Sequence, residues 1–348
     1  MKIIELFAGI GACSKALTNL GIEHEIVDAV EIDKYAIKSF NAVHGTNFEP
    51  QDITKWDKNI ECDLIMHGSP CQDFSVAGLG KGGDKDSGTR SSLMYETLRI
   101  VEKLKPKYVI WENVKNLLSK KHRHNFDAYI EAMSELGYVS KYQVLNAKDY
   151  GVPQNRERVF TVSVLNENTF EFPEPILLEK KLKDILEDEV DEKYYISKAM
   201  MDYFMGVKQK PSKFPRKERF LANINRKDQD RDNSITTNAG NRPTDNFVKE
   251  PFCVASRGRG ENNEQHLEPR KDGNTNTITS VQKDNYIATP YRIRKLTEVE
   301  CWKLMGFEKS DCEKARASGI SKTQLYKQAG NSIVVKVLEA ILKELLNA

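Results

Sequence analysis

The chain of 348 residues carries 53 Lys+Arg against 51 Asp+Glu, a formal net charge of +2, with 39% hydrophobic and 30% charged residues. This composition suits a soluble protein with one large domain and a smaller one, and its charge balance announces no polyanionic partner. No apolar run approaches the length of a bilayer-spanning helix or a secretory leader, and six scattered cysteines without a CxxC pair or a histidine cluster argue against a disulfide framework or a metal site. A cytoplasmic protein without a bound metal is expected.

Up to about residue 165, short apolar runs at 3–7, 25–30, 64–66, 108–111, 142–145 and 159–165 predict strands. Amphipathic stretches at 12–20, 34–43, 93–104 and 126–136 predict helices between them. The alternation predicts an α/β fold: a doubly wound, mainly parallel sheet whose ligands sit beyond the carboxyl ends of its strands. Residues 166–197 turn Pro-bearing and charged, reading as a connector with a short helix near 182–186.

Residues 206–290 are rich in Asn, Arg, Thr and Gly and hold 16 Lys+Arg against 11 Asp+Glu, a net +5 that leaves −3 (37 against 40) for the rest. This predicts a second, smaller, loop-rich module. Thr297-Glu298-Val299-Glu300 then reads as a capping box opening a helix to 305. A last helix over 332–346 places Ile333, Val334, Val337, Leu338, Ile341, Leu342 and Leu345 on one core-facing stripe. The expected division is 1–195, 196–290, and a return to the first domain over 291–348.

Candidate chemistry collects at the ends of the predicted strands. Phe7-Ala8-Gly9-Ile10-Gly11 closes the first strand, its glycines permitting a tight turn and close approach of a ligand, though taken alone a plain structural turn is the commoner explanation. Glu31 ends the second strand 20 residues after Gly11, where an acid can accept hydrogen bonds from ribose hydroxyls. Asp52, in Gln51-Asp52-Ile53, is expected near the end of a further strand and could face an adenine amino group. In Gly68-Ser69-Pro70-Cys71-Gln72-Asp73-Phe74-Ser75 a Pro-Cys pair after an apolar run holds a thiol on a stiff turn, making Cys71 a candidate nucleophile. Taken alone, a small buried apolar cysteine is the commoner explanation.

Glu112, in Trp111-Glu112-Asn113-Val114, could hydrogen-bond the edge of a flat heterocycle or cap a helix. Gln154-Asn155-Arg156-Glu157-Arg158 offers two guanidinium forks at i, i+2 spacing before a strand, or structural ion pairs. A cysteine, a glutamate, paired arginines and a glycine turn predicted at one sheet edge make a coincidence that the separate structural explanations leave unaccounted for.

Over nearly its full length the chain resembles the DNA cytosine C5-methyltransferases of bacteria and phages. The matching stretches are Leu6-Phe7-Ala8-Gly9-Ile10-Gly11, Pro70-Cys71-Gln72, Glu112-Asn113-Val114, Gln154 to Arg158, Arg294-Lys295-Leu296-Thr297 through Met305-Gly306-Phe307, and Gln328-Ala329-Gly330-Asn331-Ser332. The resemblance implies methyl transfer from S-adenosyl-L-methionine, with S-adenosyl-L-homocysteine as product, to cytosine C5 in a short specific site of double-stranded DNA. Cys71 corresponds to the nucleophile that adds at C6 of a flipped base, Glu112 to the residue on the N3 and amino edge, and Arg156 and Arg158 to the guanidinium pair, Arg158 on the O2 side.

By the same resemblance Phe7, Ala8, Gly9, Gly11, Glu31, Ile32, Asp52, Ile53, Pro70, Leu93 and Asn331 are the cofactor contacts. Residues 73–92 are expected to close over the DNA. Gln72, Ser75 and Arg90 are expected DNA contacts in and around that segment, and Thr277 and Ile278 match a Thr-aliphatic pair of the target-recognition domain. Arg257, Arg259 and Arg270 are the candidates there for base or phosphate contacts. The far-off Asn331 requires the last helix to pack beside the first.

The protein is expected to be a monomer, with a separately acting restriction endonuclease as companion if it belongs to a modification pair. A tRNA cytosine-5 methyltransferase would carry a Cys-Phe-Thr signature, absent here. A non-catalytic DNA-binding relative is disfavoured by intact Cys71, Glu112 and Arg158. A nicotinamide-dependent oxidoreductase is disfavoured by an incomplete G-x-G-x-x-G run.

Overall fold

The computed structural model describes residues 1–70, 93–167, 169–195, 252–259, 264–269, 274–275, 286–288 and 293–347. Strands β1 (Lys2–Leu6), β2 (Glu25–Val30), β3 (Leu64–His67), β4 (Tyr108–Val114), β5 (Tyr138–Asn146) and β6 (Glu157–Leu165) form one sheet in the order β2-β1-β3-β4-β6-β5. β1 pairs in parallel with β2 and β3, and β3 with β4, whereas β6 runs antiparallel between β4 and β5. The chain steps from β1 out to β2 and returns on the other side at β3. The switch in strand order therefore lies at the carboxyl end of β1, the place where open α/β sheets leave a ligand crevice.

Successive strand residues point to opposite faces, and both faces are covered, so the strands read as continuous apolar runs. Ile3, Met66, Ile110 and Val162 join one core, while Ile4, Ile65, Val109 and Trp111 join the other. The crossovers are α1 (Ala12–Asn19), α2 (Lys34–His44) and α3 (Met94–Leu104), with α4 (Arg123–Glu135) leading into the antiparallel pair. Trp111, Tyr129 and His67 are fully buried together: the His67 ring stacks on Trp111 at 5.7 Å, and its Nε2 lies 2.9 Å from the Tyr129 hydroxyl.

A second, four-stranded antiparallel sheet has the order β10-β9-β7-β8, from β7 (Phe252–Arg259), β8 (Glu264–Pro269), β9 (Tyr286–Ala288) and β10 (Ile293–Lys295). It thus extends past residue 290, the expected module boundary, into β10. Four helices follow: α5 (Glu298–Leu304), α6 (Lys309–Ala317), α7 (Lys322–Asn331) and α8 (Val335–Leu346). The capping box opens α5 as its spacing predicts. Its Glu300 also takes a buried two-pronged ion pair from Arg294 at 2.7 and 2.8 Å.

The last helix buries Val337, Leu338, Ile341, Leu342 and Leu345, each worth roughly 1.5–3 kcal/mol of transfer free energy. It lies against α1, where Asn19 Nδ2 donates to Glu339 Oε1 at 2.6 Å. The C-terminal segment is therefore part of the first domain's core, as the position of Asn331 requires. Among the described residues no helix is long and apolar enough to cross a membrane, and no group of three His, Cys, Asp or Glu could hold a metal ion.

Two stability predictions follow from these contacts. Gly306 has φ +86°, and a Cβ there would meet Val335 Cβ at 2.9 Å and the Lys336 amide at 3.2 Å. Gly306→Ala should cost about 2–4 kcal/mol, read as a lower denaturant midpoint at unchanged slope. Burial pushes the His67 imidazole down to about 3, and that of His44 to about 4. The unfolded chain protonates both near pH 6.5 while the folded chain does not, so from pH 6.5 downward the unfolded state binds more protons and stability falls. Each such histidine contributes up to about 1.4 kcal/mol per pH unit. Denaturant titrations of His67→Gln between pH 7 and 5 should show a shallower acid loss than wild type; an unchanged slope would contradict a neutral buried His67.

Candidate functional site

The turn that leaves β1 is held in an unusual backbone conformation by an acid from the neighbouring strand. Phe7 (φ 54°), Gly9 (57°) and Gly11 (80°) are all left-handed, which costs Phe7 strain and the glycines little. Gly9 N–H donates to Glu31 Oε2 at 3.0 Å and Asp33 N–H to Glu31 Oε1 at 2.8 Å. Burial raises the Glu31 carboxyl above its ordinary range, and these amide donors oppose the shift. Gly11 faces the other way: a Cβ there would run into His44 Nε2 at 2.2 Å and Phe40 at 2.8 Å, so its role is packing against α2.

Behind the turn, a second acid holds the backbone. Glu5, 3% exposed in β1, accepts from the amides of Cys13 at 3.2 Å and Ser14 at 2.9 Å, and from the Ser14 hydroxyl. These amides open α1, so the carboxylate binds the helix N-terminus from below and fixes the turn to the sheet. Burial raises its pKa. An acid in an otherwise apolar buried strand was the available signal.

One cavity is lined by Phe7, Ala8, Gly9, Gly68, Glu112 and Asn331, with Glu5, Ser332 and Ile333 also contributing. Four of the expected cofactor contacts and the candidate catalytic glutamate thus converge. Ile32, beside Glu31, leaves 69% of its surface exposed, an apolar face able to take a flat ring. The Gln51 amide donates to Glu31 O at 2.8 Å, which brings the following Asp52 beside Glu31.

Asp52 does not end a strand. It caps a short 3₁₀ turn (Ile53–Lys55), its Oδ1 accepting from the Thr54 amide at 3.0 Å and hydroxyl at 2.8 Å, and these bonds lower its pKa. An Asp followed two residues later by Thr is an Asx-turn signal that outweighs the weak apolar pattern around it. Ile53 is buried in the core under the sheet, and Leu93 begins α3 packed against that core; neither lines the cavity.

β3 is followed by Gly68-Ser69-Pro70, directly before Cys71 in the chain. The Trp111 indole donates to Ser69 Oγ at 3.0 Å, and Asn113 Nδ2 to Ser69 O at 3.4 Å, so two β4 side chains tie down the start of that loop. Pro70 is the last described residue of the loop, half-buried. Cys71, Gln72, Ser75, Arg90, Arg270, Thr277 and Ile278 lie outside the described residues, and Arg257 and Arg259 fall on β7, of which only the backbone is described.

Glu112 and Arg158 meet because of strand register. Val114 stands opposite Arg158, and Glu112 lies two residues back on the same face of β4, so the two side chains meet diagonally. Arg158 Nε sits 3.0 Å from Glu112 Oε1, both side chains mostly buried. Glu112 Oε2 lies 3.7 Å from where a Cβ on Gly68 would stand. Arg156 behaves differently. It precedes β6, is 4% exposed, and its Nη2 donates to Ser332 O at 2.8 Å and Gly330 O at 3.3 Å.

Thr275, between β8 and β9 in the chain, reaches this same segment. Gln154 forms a parallel bridge with fully buried Thr275, whose amide donates to Pro153 O at 2.8 Å and whose carbonyl accepts from the Asn155 amide at 2.9 Å. The Gln154 side chain, also fully buried, donates to Leu304 O at 2.7 Å.

Residues 1–347 match the family model of C-5 cytosine-specific DNA methylases. The chain is 32% identical over 432 aligned positions to the orphan methyltransferase M.SPRI of Bacillus phage SPR, covering 100% of this chain and 98% of that one. It is 31% identical over 404 positions to the type II methyltransferase M2.ScrFI of Lactococcus lactis subsp. cremoris, covering 100% and 99%. Among solved structures, the Entamoeba histolytica methyltransferase EhMeth superimposes with a TM-score of 0.66 at 16% identity, and the Schizosaccharomyces pombe Dnmt2 methyltransferase with 0.63 at 19%, each covering 100% of this chain and 98% of the other. Sequence and fold agree: the chain belongs to the C-5 cytosine-specific DNA methylases.

Proposed function

We propose that this chain methylates cytosine C5 within a specific double-stranded DNA site through Cys71, Glu112 and Arg158, with S-adenosyl-L-methionine as donor. The observation that carries this reading is the Glu112–Arg158 pair, with Glu112 lining the same cavity as Phe7, Gly9 and Asn331. The donor supplies an electrophilic methyl group on a sulfonium sulfur. The residues fit it: Glu31 offers a half-buried carboxylate for ribose hydroxyls, Ile32 an exposed apolar face for adenine, Asp52 an acceptor beside them, and Phe7, Gly9 and Asn331 the walls of the cavity.

Cytosine C5 is too weak a nucleophile to take a methyl group unaided. The Cys71 thiolate adds to C6, breaking the C5–C6 double bond and leaving C5 as the nucleophilic end of an enamine. Glu112 holds the N3 and amino edge of the ring while charge shifts onto it, and Arg158, fixed on Glu112, faces O2. After C5 is methylated, loss of its proton returns the electron pair to the ring and expels the thiolate. A base within a duplex has to leave the stack for this, at a cost of a few kcal/mol.

Residues 196–290 are the proposed target-recognition module. Their net positive charge suits phosphate contact, with Arg257, Arg259, Arg270, Thr277 and Ile278 proposed at the groove, and Gln72, Ser75 and Arg90 beside the flipped nucleotide. A monomer acting in the cytoplasm completes the reading. The relatives' names include both orphan and type II methyltransferases, so a companion restriction endonuclease is proposed only where a cleavage gene accompanies this one.

Expression in a methylation-deficient host, followed by bisulfite mapping, should show methylcytosine at one position of a short site. Cys71→Ser should abolish it. Glu112→Gln should slow turnover by about 100-fold or more while donor affinity stays within about threefold. Full methylation by the Cys71 variant, or equal losses of turnover and donor affinity at Glu112, would refute the assignments.

A further inference from the structure

The two arginines of Gln154-Asn155-Arg156-Glu157-Arg158 serve different ends of the site. Arg158 sits on Glu112, the carboxylate proposed to hold the reacting base. Arg156 instead turns its Nη2 toward the chain reversal between α7 and α8, onto the carbonyls of Gly330 and Ser332. These two residues flank Asn331, and Asn331, Ser332 and Ile333 together line the cavity with Phe7 and Gly9. The first amide of α8, Val335 N–H, donates to Met305 O at 2.9 Å, and Arg156 adds charge-assisted bonds to the carbonyls of the reversal itself.

The anchor of Arg156 is itself fixed. Its amide donates to Asn146 Oδ1 at 3.1 Å, its carbonyl accepts from the Ala147 amide at 3.1 Å, and its neighbours are bound to Thr275 and Leu304. A planar guanidinium on a rigid base, its Nη2 bonded to both carbonyls, can hold the turn in one geometry, which a flexible lysine would do less well.

We infer that Arg156 is a positioning residue for the donor pocket, acting through the 330–333 reversal, and that Arg158 alone of the pair serves the base. The inference rests on the methyl-transfer reading above. It predicts that Arg156 variants lose donor affinity while the chemistry at cytosine C6 persists. That chemistry can be read without donor: thiolate addition at C6, protonation of C5 from water, then loss of the original C5 hydrogen and of the thiolate exchange the C5 hydrogen with solvent.

The experiment uses the full-length protein, DNA tritiated at C5 of the mapped target cytosine, and S-adenosyl-L-homocysteine as binding probe. Arg156→Gln should weaken homocysteine-conjugate binding and raise donor KM about tenfold or more, with donor-free tritium release within about threefold of wild type. Arg158→Gln should do the reverse. Asn331→Ala should weaken binding similarly, and the double variant should fall short of the sum, because both changes act on one turn. Should Arg156→Gln fail to fold, Arg156→Lys, which keeps the charge and loses the fork, should give a smaller shift of the same kind.

Unchanged probe affinity in the Arg156 variants, or lost tritium release with intact affinity, would overturn the inference. Wild-type protein that binds the probe but neither methylates nor exchanges would instead overturn the methyl-transfer reading, and the probe affinities would still decide the role of Arg156.

Discussion

The site depends on the antiparallel register between β4 and β6. A sheet wound only in parallel would send the start of a sixth strand to the edge opposite Glu112. Running β6 backwards brings Arg158 to the carboxyl end of β4, where the residues after β1 and β3 also emerge. Because side chains alternate with a period of two, a slip of one residue would turn Arg158 to the other face and leave Glu112 without its guanidinium. Seven residue pairs, from Tyr108 with Val164 to Val114 with Arg158, hold that register.

Around that pair, acids and amides fix backbone before they meet any ligand. Glu5 ties the opening of α1 to β1, Glu31 ties the glycine turn to β2, and Trp111 and Asn113 hold Ser69 at the end of β3. Pre-ordered loops lose less entropy on binding, so donor and base can be held at small further cost. The same logic extends to Thr275, which is hydrogen-bonded to Pro153 and Asn155, just before Arg156.

Much of this was legible in the chain. The six strands of the main sheet and the first four helices stand where apolar periodicity predicts them, because strands buried on both faces carry unbroken Val, Ile and Leu runs. β4 runs on to Val114 past its apolar run because pairing with β6, a tertiary contact, continues there. β5 begins at Tyr138, before its predicted start, since an edge strand with half-exposed Ser140 and Lys141 shows little pattern. α6 was hidden for a similar reason: it buries only Asp311, Cys312 and Ala315, too few apolar positions to show a stripe.

At the site, motif residues announced Phe7, Gly9, Glu112, Arg158 and Asn331, which converge as expected. Sequence spacing could not show that Arg156 turns away from Arg158 and bonds a turn 174 residues away. Nor could it separate Gly11, needed for packing against Phe40 and His44, from Gly9, needed at the pocket.

The central claim is covalent catalysis by Cys71 on a cytosine held by Glu112 and Arg158. It is tested most directly with duplex DNA carrying 5-fluorocytosine at the target position, incubated with S-adenosyl-L-methionine. Fluorine at C5 cannot leave as a cation, so the thiolate cannot be expelled after methyl transfer, and intact-mass and peptide analysis should find one methylated DNA strand bonded to Cys71. Recovery of only free protein and unmodified DNA, at a site the enzyme otherwise methylates, would contradict the account.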